Sequence, residues 1–222
     1  MKLHRILGLV LAIQFCAALS AFGQGSYKAE AIGAAPAADI PAPLQGALDS
    51  QGVRVTNDQG ATLCEVWLRK ALPMSPNPNT SSDVLFGGLT VGAFLGVLHF
   101  PNATPDFRSQ TIKTGFYTLR YELIPQDGNH MGVNPYRDAF VLGSVSADTD
   151  PDKTLSFEDV VKLSQQASGT PHPGFLVGAP VSGDSFPSVV KDDSGHWNVQ
   201  LKGHGQSGDL PLAFTVVGKW EG

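Results

Sequence analysis

From residue 53 onward, apolar and polar residues alternate in short runs, a period of two that sends successive side chains to opposite faces of a strand. Val53 and Val55 alternate with polar neighbours, residues 57–60 form an Asn-Asp-Gln-Gly turn cluster, and residues 61–70 alternate again, which predicts a β-hairpin. On its second strand Thr62, Cys64, Val66 and Leu68 share one face, and Leu63, Glu65, Trp67 and Arg69 the other. The cleanest strand runs over 116–124, with Tyr117, Leu119, Tyr121 and Leu123 opposed to Thr118, Arg120 and Glu122. Further strands are predicted over 136–147, 175–181, 188–191, 196–202 and 212–220, with a tight turn at 192–195.

Two stretches depart from this period. Over 156–168 the apolar residues Phe157, Val160, Val161, Leu163 and Ala167 recur at helical spacing, with Ser156 as N-cap and Gly169 as stop. Residues 84–100 are the most apolar stretch after the leader, loosened by Gly87, Gly88, Gly92 and Gly96. As a strand it would place Leu89, Val91, Ala93, Leu95 and Val97 on the core and leave Gly88, Thr90, Gly92 and Phe94 as a flat face open to a ligand. It is too short to span a bilayer. Strands joined by short turns favour antiparallel pairing, so the expected fold is all-β: an antiparallel two-sheet β-sandwich over 50–222 with one inserted α-helix at about 156–168.

The N-terminus follows different rules. Lys2, His4 and Arg5 precede an apolar run over 6–19, and Ala21-Phe22-Gly23 ends it with a small-x-small pattern. This predicts a signal peptide at 1–23, cleaved after Gly23 or alternatively after Ser20, and a protein working in the periplasm or secreted beyond it. Phe15 before Cys16 argues against lipidation. Residues 24–49, rich in Ala and Pro, read as a flexible tether. The formal charge is -5, and loss of Lys2 and Arg5 with the leader makes it about -7, so no basic surface is offered to nucleic acid or anionic lipid. After cleavage Cys64 is the only cysteine, an intramolecular disulfide is excluded, and Cys64 reads as a buried apolar residue. No transmembrane segment remains after cleavage.

Candidate chemistry concentrates in loops. Residues 125–135 join two strands by a connection far longer than the two to five residues usual in hairpins, and carry Asp127 and His130, with Arg137 just beyond. His172 stands between Pro171 and Pro173, presented from a stiff segment. The expected ligand-binding residues are Asp127, His130, Arg137 and His172, on a surface where 125–135 meets 170–174. His196 and His204 lack the spacing of a zinc set, and neither a metal nor a cofactor is expected. The usual catalytic signatures are missing, though Glu122, Asp127 or Asp138 can meet another acid once the chain folds. The sequons at Asn79 and Asn102 matter only in a eukaryotic secretory path.

Asp148, Asp150, Asp152, Thr154 and Asp159 stand at ligand positions of a twelve-residue run that resembles an EF-hand calcium loop. Lys153 replaces the required glycine, Pro151 restricts the chain and Asp159 is shorter than the usual Glu, so no tight calcium site is expected. The strand opening Gly115-Phe116-Tyr117-Thr118-Leu119 resembles that of secreted bacterial β-sandwich proteins of unknown activity, a resemblance that implies fold and compartment and carries no catalytic residue. The expected function is a non-catalytic binding or interaction module for a glycan, peptide or protein of the envelope. The alternative is an acid/base or metal-assisted hydrolase using the His130 loop and His172.

Overall fold

A computed structural model describes residues 25–219 apart from 129, 131, 133 and 207; the predicted signal peptide at 1–23 lies outside the described residues. In chain order the elements are β1 (Tyr27–Ile32), α1 (Ala42–Ala47), β2 (Gly52–Asn57), β3 (Thr62–Leu68), β4 (Phe94–Phe100), β5 (Thr104–Pro105) and β6 (Thr111–Ile112). They continue as β7 (Gly115–Leu123), β8 (Asp138–Ser144), α2 (Phe157–Ser168), β9 (Phe175–Val177), β10 (Ser188–Lys191), β11 (Trp197–Gly205) and β12 (Gly208–Val217).

The alternating runs do what their period demands. β2 and β3 form the hairpin, its turn closed by Asn57 Oδ1, which accepts the N–H groups of Gln59 and Ala61. Seven antiparallel strands in the order β1-β2-β3-β4-β7-β8-β9 make one curled sheet, and β10-β11-β12 make a second. The two sheets meet where the chain leaves β9: Gly178 bridges Phe214, and the Ala179 N–H reaches Ala213 O at 3.0 Å. On the opposite side the rings of Tyr27 and Trp197 pack edge-to-face, their centres 5.3 Å apart. Val55, Val66, Leu98, Leu119, Tyr121 and Phe140 from the large sheet share one core with Val199, Leu201, Leu212 and Phe214 from the small one. The fold is therefore an all-β sandwich. Each such side chain contributes roughly 1.5–3 kcal/mol on burial. Cys64 lies in this core, its thiol pushed up to about 12 by burial, which keeps it inert.

The tether reading of 24–49 is corrected. Tyr27–Ile32 is the edge strand β1, paired along its length with β2. Ile40, Leu44 and Leu48, spaced by four, then fold down with α1 onto Trp67, Phe94 and Val97 in a second apolar cluster outside the large sheet. The indole N–H of Trp67 donates to Gly33 O at 2.9 Å. Three well-placed apolar side chains hold this segment, which is why its Ala/Pro-rich composition misleads.

The flat glycine face is corrected as well. Only Phe94–Phe100 is strand; the chain before it turns, and Phe94 is fully buried. Gly92 takes φ +79°, and a Cβ there would run into Leu155 O, so this glycine allows the approach of the chain's own backbone. The helix α2 is capped as expected, with Ser156 Oγ accepting the Asp159 N–H at 3.2 Å and Gly169 at φ 70°. Its buried face is rotated from the apolar stripe: Val160, Ser164 and Ser168 face inward while Phe157 is exposed. Ser164 tolerates burial because its hydroxyl donates to Gly174 O (3.0 Å) and accepts from Gly174 N–H (2.9 Å). Among the described residues no helix is long and apolar enough to cross a membrane.

Candidate functional site

The alternation on β7 sends Thr118, Arg120 and Glu122 away from the core, onto the face that α2 and the segment before it cover. Arg120 is buried there and fully engaged. Its Nε and Nη2 donate to the two Asp148 carboxylate oxygens at 2.8 and 2.6 Å, Nη1 donates to Gly92 O and Lys153 O, and Nη2 also to Asp150 O. The Thr118 hydroxyl donates to Asp148 Oδ2 at 2.7 Å. The EF-hand-like run thus wraps a guanidinium. Asp152 pairs with Arg69 at 2.5 Å, and Asp150 Oδ1 accepts the Asp152 N–H, so these carboxylates do not converge. Among the described residues no group of three or more His, Cys, Asp or Glu is placed to hold a metal ion.

Two residues further on, Glu122 is only 3 % exposed. Burial pushes its carboxyl up to about 7; the Leu123 N–H and the charge of Arg120 pull it down, and Glu158 pushes it up again. Its Oε1 is the buried side-chain oxygen that has no hydrogen-bond partner among the described residues. Glu122 lines a cleft of about 90 Å³ at the end of the sandwich. Phe157, Val160 and Val161 of α2 and Phe175 at the start of β9 supply apolar walls, while His130, His172 and Arg108 stand around it.

The 125–135 loop and the 170–174 segment therefore share one end of the molecule, since His130 and His172 line the same cleft. His130 is oriented by Asp127, whose Oδ1 lies 2.6 Å from Nδ1. His172 is held by a knot of short-range bonds: its N–H donates to Thr170 Oγ1 at 3.2 Å, and Ser168 Oγ donates to its carbonyl at 2.9 Å. Arg137 is engaged elsewhere. Its Nε donates to Ile124 O and its N–H to Asp83 O, both at 2.9 Å, so it pins the stem of the loop. Asp138 is structural: fully buried, it accepts the Leu85 and Phe86 N–H groups and the Tyr121 hydroxyl, whose own ionisation burial and Asp138 push far up. His196 pairs loosely with Asp192 (3.5 Å) and His204 with Asp209 (2.9 Å), away from the cleft.

Sequence reasoning found the two histidines and passed over Glu122 as one open carboxylate among three. The available signal was its position: an acid between Arg120 and an apolar segment, on a strand face opposite a clean core face. Phe157 and Arg108 gave no local sign. Comparison with protein-family models, with curated proteins and with solved structures finds no match to this chain.

Proposed function

We propose that this chain is an exported, non-catalytic binding module that takes a small projecting group of an envelope glycan, peptide or protein into the Glu122 cleft. The observation that carries this reading is the union of apolar walls with a buried carboxylate oxygen that has no partner among the described residues. An unsatisfied buried acceptor costs roughly 1–3 kcal/mol, and a ligand donor that reaches it recovers part of that cost. Apolar walls with a few convergent polar groups are the usual composition of a ligand site.

The hydrolase reading rests on a specific observation too: a carboxyl near 7 and two imidazoles at one cleft are the materials of acid/base chemistry. The lining favours binding: it is mostly apolar, and among the described residues Glu122 is its only acid. The test is a pair of measurements on the mature protein. Amide spectra recorded against a set of small polar-apolar fragments should show shifts concentrated at Ile124, Val161 and Phe175, while chromogenic esters, glycosides and peptides are not turned over. Turnover that disappears in Glu122→Gln or His172→Ala would move the assignment to the hydrolase; spectra that no fragment changes at these amides would remove the cleft as a site.

A further inference from the structure

Two of the larger grooves among the described residues offer less chemistry. One, about 580 Å³ between Tyr27, Leu63 and Val216, has Asp106 as its acid, and that carboxylate already accepts the Arg108 and Gln110 N–H groups. The other, about 280 Å³ beside Arg69 and Lys202, has these cations paired with Asp152 and Asp209. The outer-face network of Arg54, Glu65 and His99 is likewise closed on itself, at 2.8 and 2.9 Å. The Glu122 cleft is different, because one of its lining residues, Glu122, carries a buried acceptor with no partner among the described residues, and two others, Phe157 and Phe175, are aromatic.

Resting on the binding reading above, we infer that the group this cleft takes is a primary alkylammonium, held between the Glu122 carboxylate and the rings of Phe157 and Phe175. Three observations point to this chemistry. The acceptor is an acid in an apolar setting, where a charge-assisted hydrogen bond is about twice as strong as a neutral one. Phe157 is 43 % exposed at the first turn of α2 and lines the cleft, where a cation over the face of an aromatic ring is favoured. The volume suits an ammonium on a short alkyl stem, and its apolar walls suit the stem.

The charges around Glu122 sort the possible ligands. Arg120 on the same strand is committed to Asp148, and Glu158 on α2 adds negative charge near the site. Together with Glu122 these disfavour an anion. Arg108, His130 and His172 stand around the cleft, with Asp127 beside His130; the Arg108 side is exposed, where water and salt screen its repulsion of a cation. Because Glu122 binds a proton up to about pH 7, an ammonium competes with that proton, and its affinity rises as pH climbs through this value.

The experiment uses the mature chain and four probes: n-butylammonium, Nα-acetyl-lysine N-methylamide, n-butanol and butyrate. Amide shifts and the carboxyl carbon of Glu122 are followed from pH 5 to 8.5. Expected at pH 8 is at least tenfold tighter binding of butylammonium than of butanol, with butyrate excluded and the Glu122 carboxyl titrating lower when the amine is bound. Glu122→Gln should erase the gap between amine and alcohol while the alcohol still binds, and the wild-type pH profile carries the same test if that variant does not fold. The lysine amide binding more tightly than butylammonium assigns the source to a peptide side chain; the reverse assigns it to a free amine. Equal binding of butanol and butylammonium overturns the ammonium assignment and leaves the cleft as a binding site. Failure of every probe to move Ile124, Val161 or Phe175 overturns the binding reading itself.

Discussion

Arg120 and Glu122 stand two residues apart on β7, under the same cover of α2 and its approach, and burial has opposite consequences for them. Arg120 finds a carboxylate and three carbonyls for its donors. Glu122 has the Leu123 N–H and one oxygen unpartnered among the described residues, so its protonated form is favoured in the fold. A carboxyl held near 7, against an ordinary 4.5, binds its proton more tightly in the native than in the unfolded chain. The stability this proton supplies is whole below about pH 4.5 and drains away as pH rises to about 7, by at most about 3 kcal/mol at ~1.36 kcal/mol per unit. Thermal melts of wild type and Glu122→Gln from pH 4.5 to 8 should therefore diverge, the wild type losing stability more steeply and melting below the variant at pH 8. Parallel curves would mean that Glu122 is solvated in the native state.

At the scale of elements, the approach to α2 is organised by a side chain from β7. Asp148, the backbone of residues 150 and 153, and Gly92 O all turn toward the Arg120 guanidinium, and Leu155 N–H closes on Gly92 O at 3.1 Å. A resident cation of the protein's own therefore occupies the loop's first acidic ligand. Millimolar calcium should leave the melting temperature unchanged, whereas a ligand present at a hundred times its dissociation constant would add about 2.7 kcal/mol. Asp148→Asn, which strips the charge partner from a buried guanidinium, should cost about 3–5 kcal/mol in denaturant unfolding. A calcium-dependent rise in melting temperature, lost in Asp150→Ala, would show that the loop can leave Arg120 for a metal.

For the molecule as a whole, the segment before residue 50 is part of the sandwich. β1 covers the edge of β2, and Ile40, Leu44 and Leu48 cover Trp67, Phe94 and Val97. Deleting residues 24–49 exposes an unpaired strand edge and an apolar patch together, a combination that invites aggregation. At roughly 1.5–3 kcal/mol for each buried aliphatic side chain, the loss approaches the whole stability of an ordinary domain. Size-exclusion chromatography and near-ultraviolet circular dichroism should find the 50–222 fragment aggregated or without fixed tertiary packing. A fragment that is monodisperse and melts like the intact mature chain would restore the tether reading.

What the sequence determined by itself is what depends on near neighbours. The period-two faces of β2, β3 and β7, the tight turns at 57–60 and 192–195, and the caps of α2 at Ser156 and Gly169 all follow from interactions within a few residues, and the structure carries each of them. The convergence of His130 and His172 was a matter of which end of a sandwich each loop occupies, and only the strand order settled it. Tertiary structure alone decided the rest. Residues 27–48 have little periodicity but find an unpaired edge and an apolar face; residues 84–93 are largely apolar yet must turn to let Gly92 meet Leu155. Glu122 lies on the polar face of its strand by local rules, and becomes a buried, half-satisfied acid because a helix more than thirty residues away in the chain packs over it. Burial and charge energies depend on what surrounds a group in space, and a linear pattern holds no record of that.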